Sequence, residues 1–147
     1  MERLAALGVA LAVAAAGSGA ALATTDTPST ATVVRAWSKA LNANQNEAAA
    51  RLFAPNARVI QPGIDVRLTS HAFAVAFNDA LPCAGRIVRL TVKGERAIAT
   101  FVLGKRPKHA CKAQPNEKAA AFFVVHNGKI TLWQEIAVPP PPPKPTA

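Results

Sequence analysis

The sequence places few side chains that could transfer a proton within apolar segments, and Glu135 is the foremost of them. It follows Trp133 in the apolar segment 129–136. A carboxyl group held among apolar side chains has a raised pKa and can act as a general acid or base. The alternative, which we favour, is that Glu135 faces solvent or pairs with one of the 17 Lys and Arg side chains.

Three further polar candidates border shorter elements. Asp65 and His71 lie near the mouth expected between a short strand and a later helix, and His126 borders the Asn127-Gly128 turn. A structural position is the simpler interpretation for each: a turn for Asp65, an exposed first helical turn for His71 and a hairpin end for His126. The sequence contains no HExxH, GxSxG, P-loop or dinucleotide-binding motif, so those enzyme classes are set aside.

The chain has two cysteines, Cys83 and Cys111. In an oxidising compartment such a pair is expected to form a disulfide, which would stabilise the fold by roughly 3 to 4 kcal/mol in the chain-entropy account. The competing interpretation is a zinc site that uses His109 with Cys111. Two neighbouring ligands without a second pair are a weak zinc signal, so we predict a disulfide, no metal and no cofactor.

The N-terminal segment predicts export. Arg3 precedes an apolar run over 4–16, and Ala21-Leu22-Ala23 has the small-x-small pattern of a signal-peptide cleavage site. A retained membrane anchor is the alternative, but the run is shorter than the roughly 20 apolar residues that span a bilayer. We therefore predict a secreted, periplasmic or cell-envelope protein with a signal peptide over 1–23, a leader over 24–29, one domain over 30–138 and a proline-rich tail over 139–147.

The net charge of +9 stays with the mature chain, because Glu2 and Arg3 leave together. A basic excess suggests anionic surroundings. The cations are scattered and the chain has no Tyr, so we expect no nucleic-acid partner. The densest basic group lies between Lys105 and Lys112; we interpret it as a solvated loop, with contact to an anionic envelope surface as the alternative.

Three helices are predicted before any long strand. The first follows a cap at Ser29 or Thr30, a short Ala-rich helix begins at Asn46, and the third follows a cap at Thr69 or Ser70. The first and third helices should each turn an apolar face inward, formed by Val33, Val34, Trp37, Ala40 and Leu41 in one and by Phe73, Phe77 and Leu81 in the other.

Strand periodicity follows the helices. A brief strand over 58–61 ends at Pro62-Gly63, and two later hairpins turn at Gly94-Glu95 and Asn127-Gly128. We therefore expect an α+β domain whose helices cover one side of a bent antiparallel sheet. The turns predict cross-strand pairs: Val92 with Ala97, Leu90 with Ala99, Val88 with Phe101, Val125 with Ile130, Phe123 with Leu132, Phe122 with Trp133, and Ala120 with Glu135.

Several of these residues form a pattern that resembles a known family. The matching features are Trp37 in the first helix, the run RLFAPNARVIQPG over 51–63, Ala72 with Phe77 in the third helix, and Gly128-Lys129-Ile130 with Trp133 in the last hairpin. This pattern resembles the SnoaL-like branch of the nuclear-transport-factor-like superfamily. The resemblance implies a cone-shaped α+β barrel with a hydrophobic cavity, often dimeric, in a superfamily of ketosteroid isomerases, polyketide cyclases, dehydratases, epoxide hydrolases and non-catalytic binding domains.

The same resemblance suggests which residues would meet a ligand. It puts Gln61 inside the cone as the polar residue that orients a ligand. It also makes the aromatic residues cavity walls, although composition alone would assign them to the core: Trp37, Phe53, Phe73, Phe77, Phe122 and Trp133.

The chain departs from the enzymes of that superfamily. Ketosteroid isomerases carry a basic Asp where this sequence has Gln61, which cannot take a proton at neutral pH. They also use a Tyr for the oxyanion, and the positions matching the acidic residue of polyketide cyclases are about Ala137 and Val138. We therefore predict that a small apolar molecule binds without catalysis. The alternatives are a cyclase or isomerase using Glu135 or Asp65 with Gln61, and a protein-interaction module with a filled cone.

Overall fold

The computed structural model describes residues 26–146, so the predicted signal peptide lies outside the described residues. Across this range, no helix has the length and hydrophobicity needed to cross a membrane. In chain order the described elements are α1 (Thr30–Asn42), α2 (Asn46–Ala50), β1 (Phe53–Gln61), β2 (Ile64–Leu68), α3 (His71–Ala80), β3 (Ala84–Lys93), β4 (Arg96–Gly104), β5 (Lys118–His126) and β6 (Lys129–Ile136).

The caps of α1 and α3 lie where the sequence predicts them. The side chain of Ser29 accepts a hydrogen bond from the Thr32 amide, and that of Ser70 accepts one from the Phe73 amide. The whole predicted inward face of α1 is buried. The predicted face of α3 is partly wrong, because Phe73 is 40% exposed and Ala74 is buried in its place beside Phe77.

The described strands form one six-stranded sheet in the order β2-β1-β6-β5-β4-β3. Every neighbouring pair is antiparallel except β1 and β6, which are parallel. The sheet is curved and unclosed, with the helices against its concave face, so the predicted α+β cone with three N-terminal helices is confirmed. Its edges are β2 and β3.

The sequence pattern does not predict β2, and the strand that it predicts over 58–61 is shorter than β1. Pro62 and Gly63 form a tight turn in which Gly63 has a φ of +77°, and Ile64 then pairs with Gln61 to start β2. Pro55 does not end the preceding strand. Instead, β1 continues through an irregularity between Phe53 and Arg58, since an edge or bulge position tolerates the missing amide donor of proline.

Each long hairpin contains a bulge that changes the predicted register. In β3, Ile87 pairs with Phe101 and Arg89 with Thr100, so Val88 is the extra residue and is 42% exposed. The predicted pairing of Val88 with Phe101 is therefore wrong. The pairs nearer the Gly94-Glu95 turn are confirmed, because they precede the bulge.

The second bulge has more consequence. Val125 pairs with Ile130 as predicted, but Val124 pairs with Leu132, which leaves Thr131 as the extra residue. Phe123 therefore lies opposite Trp133 and Ala121 opposite Glu135, whereas Phe122 lies on the convex face opposite Gln134. Because side chains alternate along a strand, one extra residue turns every later side chain to the other face. The predicted pairs of Phe123 with Leu132, Phe122 with Trp133 and Ala120 with Glu135 are wrong for this reason.

Aromatic side chains fill one part of the space between the helices and the sheet. Trp37 contacts Phe123 and Trp133 at ring-centroid distances of 5.4 and 6.1 Å, and Phe77 contacts Trp133 and Phe53 at 5.3 and 5.8 Å. Most of these contacts are edge-to-face, which is favourable for aromatic quadrupoles. This group is the densest part of the core.

The basic loop after β4 is not fully solvated, because Arg106 is only 2% exposed. Its guanidinium donates hydrogen bonds to the carbonyl oxygens of Leu41, Asn78 and Leu81 and to the side chain of Asn46. Burial lowers the pKa of Arg106, and the charge of Asp79 partly offsets that effect. Arg106 thus ties together the C-terminal ends of α1 and α3, whose last carbonyl groups lack helical partners.

Candidate functional site

A cavity of about 330 Å³ lies between α1 and the concave face of the sheet. The lining is largely apolar, with two indole rings and one phenyl ring among its members. The residues lining it are Trp37, Ser38, Leu41, Gln61, Leu81, Pro82, Cys83, Gly85, Phe101, Leu103, Ala119, Ala120, Ala121, Trp133 and Glu135. Trp37, Gln61 and Trp133 were singled out from the sequence; their role in binding a ligand stays a prediction.

Small residues on the sheet account for the open space. Ala119 and Ala121 follow each other at the two-residue spacing that puts both on the concave face, opposite Phe101 and Ala99 of β4. Gly85 lies in β3 on the far side of Phe101, where an added Cβ would come within 3.0 Å of the Phe101 ring. Larger side chains at the two alanine positions would occupy the cavity, so the open space exists because the side chains on this part of the sheet are small.

The first helix is docked beside this opening by polar contacts to Gly85. The Gly85 carbonyl oxygen accepts hydrogen bonds from the side chains of Asn42 at 2.9 Å and Ser38 at 3.1 Å. The Gly85 amide donates a hydrogen bond to the side chain of Asn42 at 2.8 Å. The helix is therefore held at a set distance from the sheet. Sequence reasoning missed Ser38, Gly85, Leu103 and the alanines, although the alanine run in an otherwise bulky hairpin was the visible signal.

The two tryptophans of the lining differ in their hydrogen bonding. Trp37 Nε1 donates to Asn78 Oδ1 at 2.8 Å, and Asn78 in turn donates to the Ala74 carbonyl. Trp133 is only 5% exposed, yet its Nε1 has no hydrogen-bond partner among residues 26–146. A buried unsatisfied donor costs about 1 to 3 kcal/mol. Because Trp133 Nε1 is itself inaccessible to solvent, this donor is enclosed by the core and does not face the open cavity.

Gln61 and Glu135 form a polar pair on the lining. They lie on adjacent parallel strands, and Gln61 Nε2 donates to Glu135 Oε2 at 3.4 Å. Glu135 is exposed to solvent, so this pair lies where the cavity opens. The burial that the acid/base hypothesis for Glu135 required is therefore absent. Glu135 shares its face with Trp133 as predicted, but not with Phe122.

The other candidate acid and the two histidines do not line the cavity. Asp65 lies on β2, not in a turn, and it forms a two-pronged ion pair with Arg58 at 2.8 and 2.5 Å. The hydrogen bond from Arg58 holds the pKa of Asp65 below its usual value. His71 contacts Glu47 at 2.5 Å in the first turn of α3, and His126 contacts a glutamate at 2.7 Å at the hairpin end.

Four of the aromatic candidates lie elsewhere, and Phe122 is the one on the convex face. Phe77 packs between Phe53 and Trp133 in the filled part of the core, and Phe73 projects outward. Phe53 borders a second depression, of about 500 Å³, together with Arg51 and His71. Among the basic side chains around that depression, His71 contacts Glu47, Lys129 donates to the Arg51 carbonyl, and the Arg51 side chain is exposed. We regard the apolar cavity as the candidate site, because it is the one that Trp37, Gln61 and Trp133 border.

Cys83 and Cys111 form the predicted disulfide. The zinc alternative is overturned, because Cys111 is bonded to Cys83 and His109 contacts Asp79. Within the described part of the chain, no three His, Cys, Asp or Glu side chains lie together as a metal site would require. Since Cys83 also lines the cavity, the disulfide anchors one side of it.

Solved structures resemble this fold at low sequence identity. A proposed ketosteroid isomerase from Kribbella flavida is 24% identical, with a TM-score of 0.56 over 78% of this chain and 83% of that one. A nuclear-transport-factor-2-like protein of unknown function from Cytophaga hutchinsonii is 13% identical, with a TM-score of 0.61 over 76% and 92%. A proposed polyketide cyclase from Sinorhizobium meliloti is 21% identical, with a TM-score of 0.56 over 71% and 93%.

At these identities the similarity extends to the fold alone. No curated protein sequence matches the chain. The SnoaL-like domain family, however, matches residues 34–133, a span that begins inside α1 and ends at Trp133 on the cavity wall. The chain therefore belongs to the SnoaL-like domain family.

Proposed function

We propose that this protein is an exported binding protein that holds a small, largely apolar molecule between α1 and the sheet without transforming it. The observation that carries the proposal is the cavity itself. Its volume of about 330 Å³ falls in the range of roughly 300 to 1,000 Å³ typical of small-molecule sites, which combine apolar walls with a few polar groups. Gln61 and Glu135 supply such polar groups here.

The absence of a complete acid/base pair in the lining favours binding over catalysis. Glu135 is the one ionisable side chain among the described lining residues, and it is open to solvent. Gln61 has no proton to exchange at neutral pH, and the chain has no Tyr to stabilise an oxyanion. Proton transfer between two substrate positions would need a better supported partner.

Isomerase or cyclase activity is the second candidate. It is favoured by the 3.4 Å contact between Gln61 and Glu135 and by the activities proposed for the similar proteins of Kribbella flavida and Sinorhizobium meliloti. In that case Glu135 would be the sole proton carrier and Gln61 would orient the substrate.

Export is part of the proposal. Its support is the signal-peptide pattern over 1–23 and the disulfide between Cys83 and Cys111, which persists in oxidising compartments and is rare in the cytosol. A homodimer and contact with an anionic envelope surface stay predictions.

Binding can be tested with the uncharged fluorescent probe N-phenyl-1-naphthylamine. We expect saturable enhancement of probe fluorescence by the wild-type protein. Ala121→Leu, which fills the cavity from the sheet, should weaken binding at least about tenfold, equivalent to about 1.4 kcal/mol. Ala54→Leu adds the same atoms beside the second depression and serves as the matched control.

Thermal unfolding of both variants establishes that they are folded. Probe binding that is absent from the wild type, or equal in both variants, would refute the binding function. Native mass spectrometry of protein from the exported fraction of its host identifies a retained molecule. Incubating the protein with that molecule then separates the two candidates. A binding protein should leave it unchanged, whereas an isomerase or cyclase should convert it to a product that chromatography and NMR distinguish even at equal mass.

A further inference from the structure

The sign of the charge at the cavity is opposite to that of the protein. The chain carries a net charge of +9, which by itself suggests an anionic ligand. Yet Glu135 is the one ionisable side chain among the described residues that line the cavity. The charge that a ligand meets at close range is therefore negative.

Glu135 also differs from other carboxylates of the described chain in its surroundings. Asp65 pairs with Arg58, and Glu47, Asp79 and Glu95 each contact a histidine within 3.2 Å. Glu135 forms no ion pair within residues 26–146, and its carboxylate accepts a single, long hydrogen bond from Gln61. In a chain with 17 Lys and Arg residues, the carboxylate at the cavity is one that the protein leaves without a cation.

Resting on the proposed binding function, we infer that the cavity selects apolar amines. The ligand carries an ammonium group that pairs with Glu135 at the mouth and an apolar body that occupies the space between α1 and the sheet. Anionic molecules of the same size are rejected. Two unit charges 4 Å apart interact by about 1 kcal/mol in water and by about 4 kcal/mol near a protein surface, which is enough to discriminate at a partly exposed mouth.

Three naphthalene derivatives with different head groups test the charge preference. 1-Naphthylmethylamine, 1-naphthalenemethanol and 1-naphthoate are each titrated as competitors of N-phenyl-1-naphthylamine. We expect the amine to bind about tenfold more tightly than the alcohol, and the alcohol about tenfold more tightly than the carboxylate, in line with roughly 1.4 kcal/mol per step.

The affinities of the amine and the alcohol are compared within each variant, so that any change at the mouth affects both. Glu135→Gln should bring the two affinities to within about twofold of each other, because the preference expected for one charge pair is lost. Asp26→Asn is the matched control, because it removes the same charge from an exposed position in the leader. It should keep the wild-type order of the three head groups.

The outcomes separate this inference from the proposed function. Binding of the uncharged probe with no head-group preference, or with a preference for the carboxylate, would overturn the amine selectivity while leaving the binding function intact. Failure of the uncharged probe to bind the wild type would instead refute the binding function.

Discussion

The space between the helices and the sheet has a filled part and an open part. In the filled part, Phe123 packs against Trp37, and Phe77 packs between Phe53 and Trp133. In the open part, the sheet contributes Ala119 and Ala121. The same sheet and the same first helix border both parts. The difference shows that side-chain volume, rather than backbone architecture, decides where this fold is hollow.

The two parts also differ in how their polar groups are paired. Around the filled part, Trp37 is bonded to Asn78, and Arg106 satisfies carbonyl groups at the ends of two helices. At the open part, Glu135 lacks a cation among the described residues. Pairing in the core is not complete, since Asn44 Oδ1 and Trp133 Nε1 are buried without a partner in residues 26–146, but the unpaired charge lies where a ligand could contribute.

Truncation in the filled part should have the largest effect. Phe77→Ala removes the ring that joins Phe53 to Trp133. We expect the free energy of unfolding to fall by about 3 to 5 kcal/mol, because the change removes buried area and leaves a void. Urea unfolding measures the loss. Phe73→Ala is the control, since Phe73 is exposed on the same helix, and an equal loss in both variants would contradict a filled region at Phe77.

Removal of the Arg106 side chain, which joins the ends of α1 and α3, should have the second largest effect. Arg106→Ala leaves the Leu41, Asn78 and Leu81 carbonyl groups without their shared donor. We expect a loss of about 2 to 4 kcal/mol in the free energy of unfolding. Lys105→Ala, an exposed neighbour, should change it by less than about 0.5 kcal/mol. If the two substitutions lower the free energy of unfolding equally, the loop would be the solvated basic loop that the sequence suggests.

Two facing alanines offer the most direct contrast. Ala99 and Ala121 are cross-strand partners, but only Ala121 lies on the cavity lining of the described residues. Ala99→Val should destabilise by about 1 to 3 kcal/mol through overpacking. Ala121→Val should cost less than about 0.5 kcal/mol or stabilise the protein slightly, because its added methyl groups enter open space. Thermal unfolding of the two variants distinguishes them, and equal losses would show that the opening closes up in solution.

The smallest effect should come from the convex side of the sheet. Asp65 has its pKa lowered mainly by the hydrogen bond from Arg58. Its contribution to stability is therefore complete above the usual carboxyl pKa of about 4 and lost as the pH falls through the lower folded-state value. Unfolding of the wild type and Asp65→Asn at pH 7 and pH 2.5 should show a slight difference at pH 7 only. A difference that grows in acid would contradict the sign of the shift.

The sequence predicts those features that depend on neighbouring residues. The Ser29 and Ser70 caps, the inward face of α1 and the Asn127-Gly128 turn all follow from local chemistry, and all are present. The bulge at Thr131 does not follow, because nothing in the hairpin itself shows that β1 will pair with β6 in parallel and that the ribbon must bend to meet it. The predicted register was therefore correct at the turn and wrong beyond it.

The candidate site was predicted in the same uneven way. The aromatic walls Trp37 and Trp133 are conspicuous by type. The emptiness beside them is not, since it depends on Ala119 and Ala121 lying on the concave face, and that orientation requires the tertiary packing. Alternation along the strand correctly predicts that Glu135 lies on the same face of the sheet as Trp133. Whether its carboxylate is buried depends on where the cavity opens, and the sequence does not show that.

The bulge at Thr131 has a genetic consequence. Because Thr131 is the single unpaired residue of the hairpin, losing its codon would leave Leu132 opposite Val124 and Trp133 opposite Phe123, and would make the ribbon regular. Trp133 and Glu135 would therefore keep their inward positions. The length of this hairpin can thus vary by one residue among relatives of this protein without changing which side chains of β6 line the cavity.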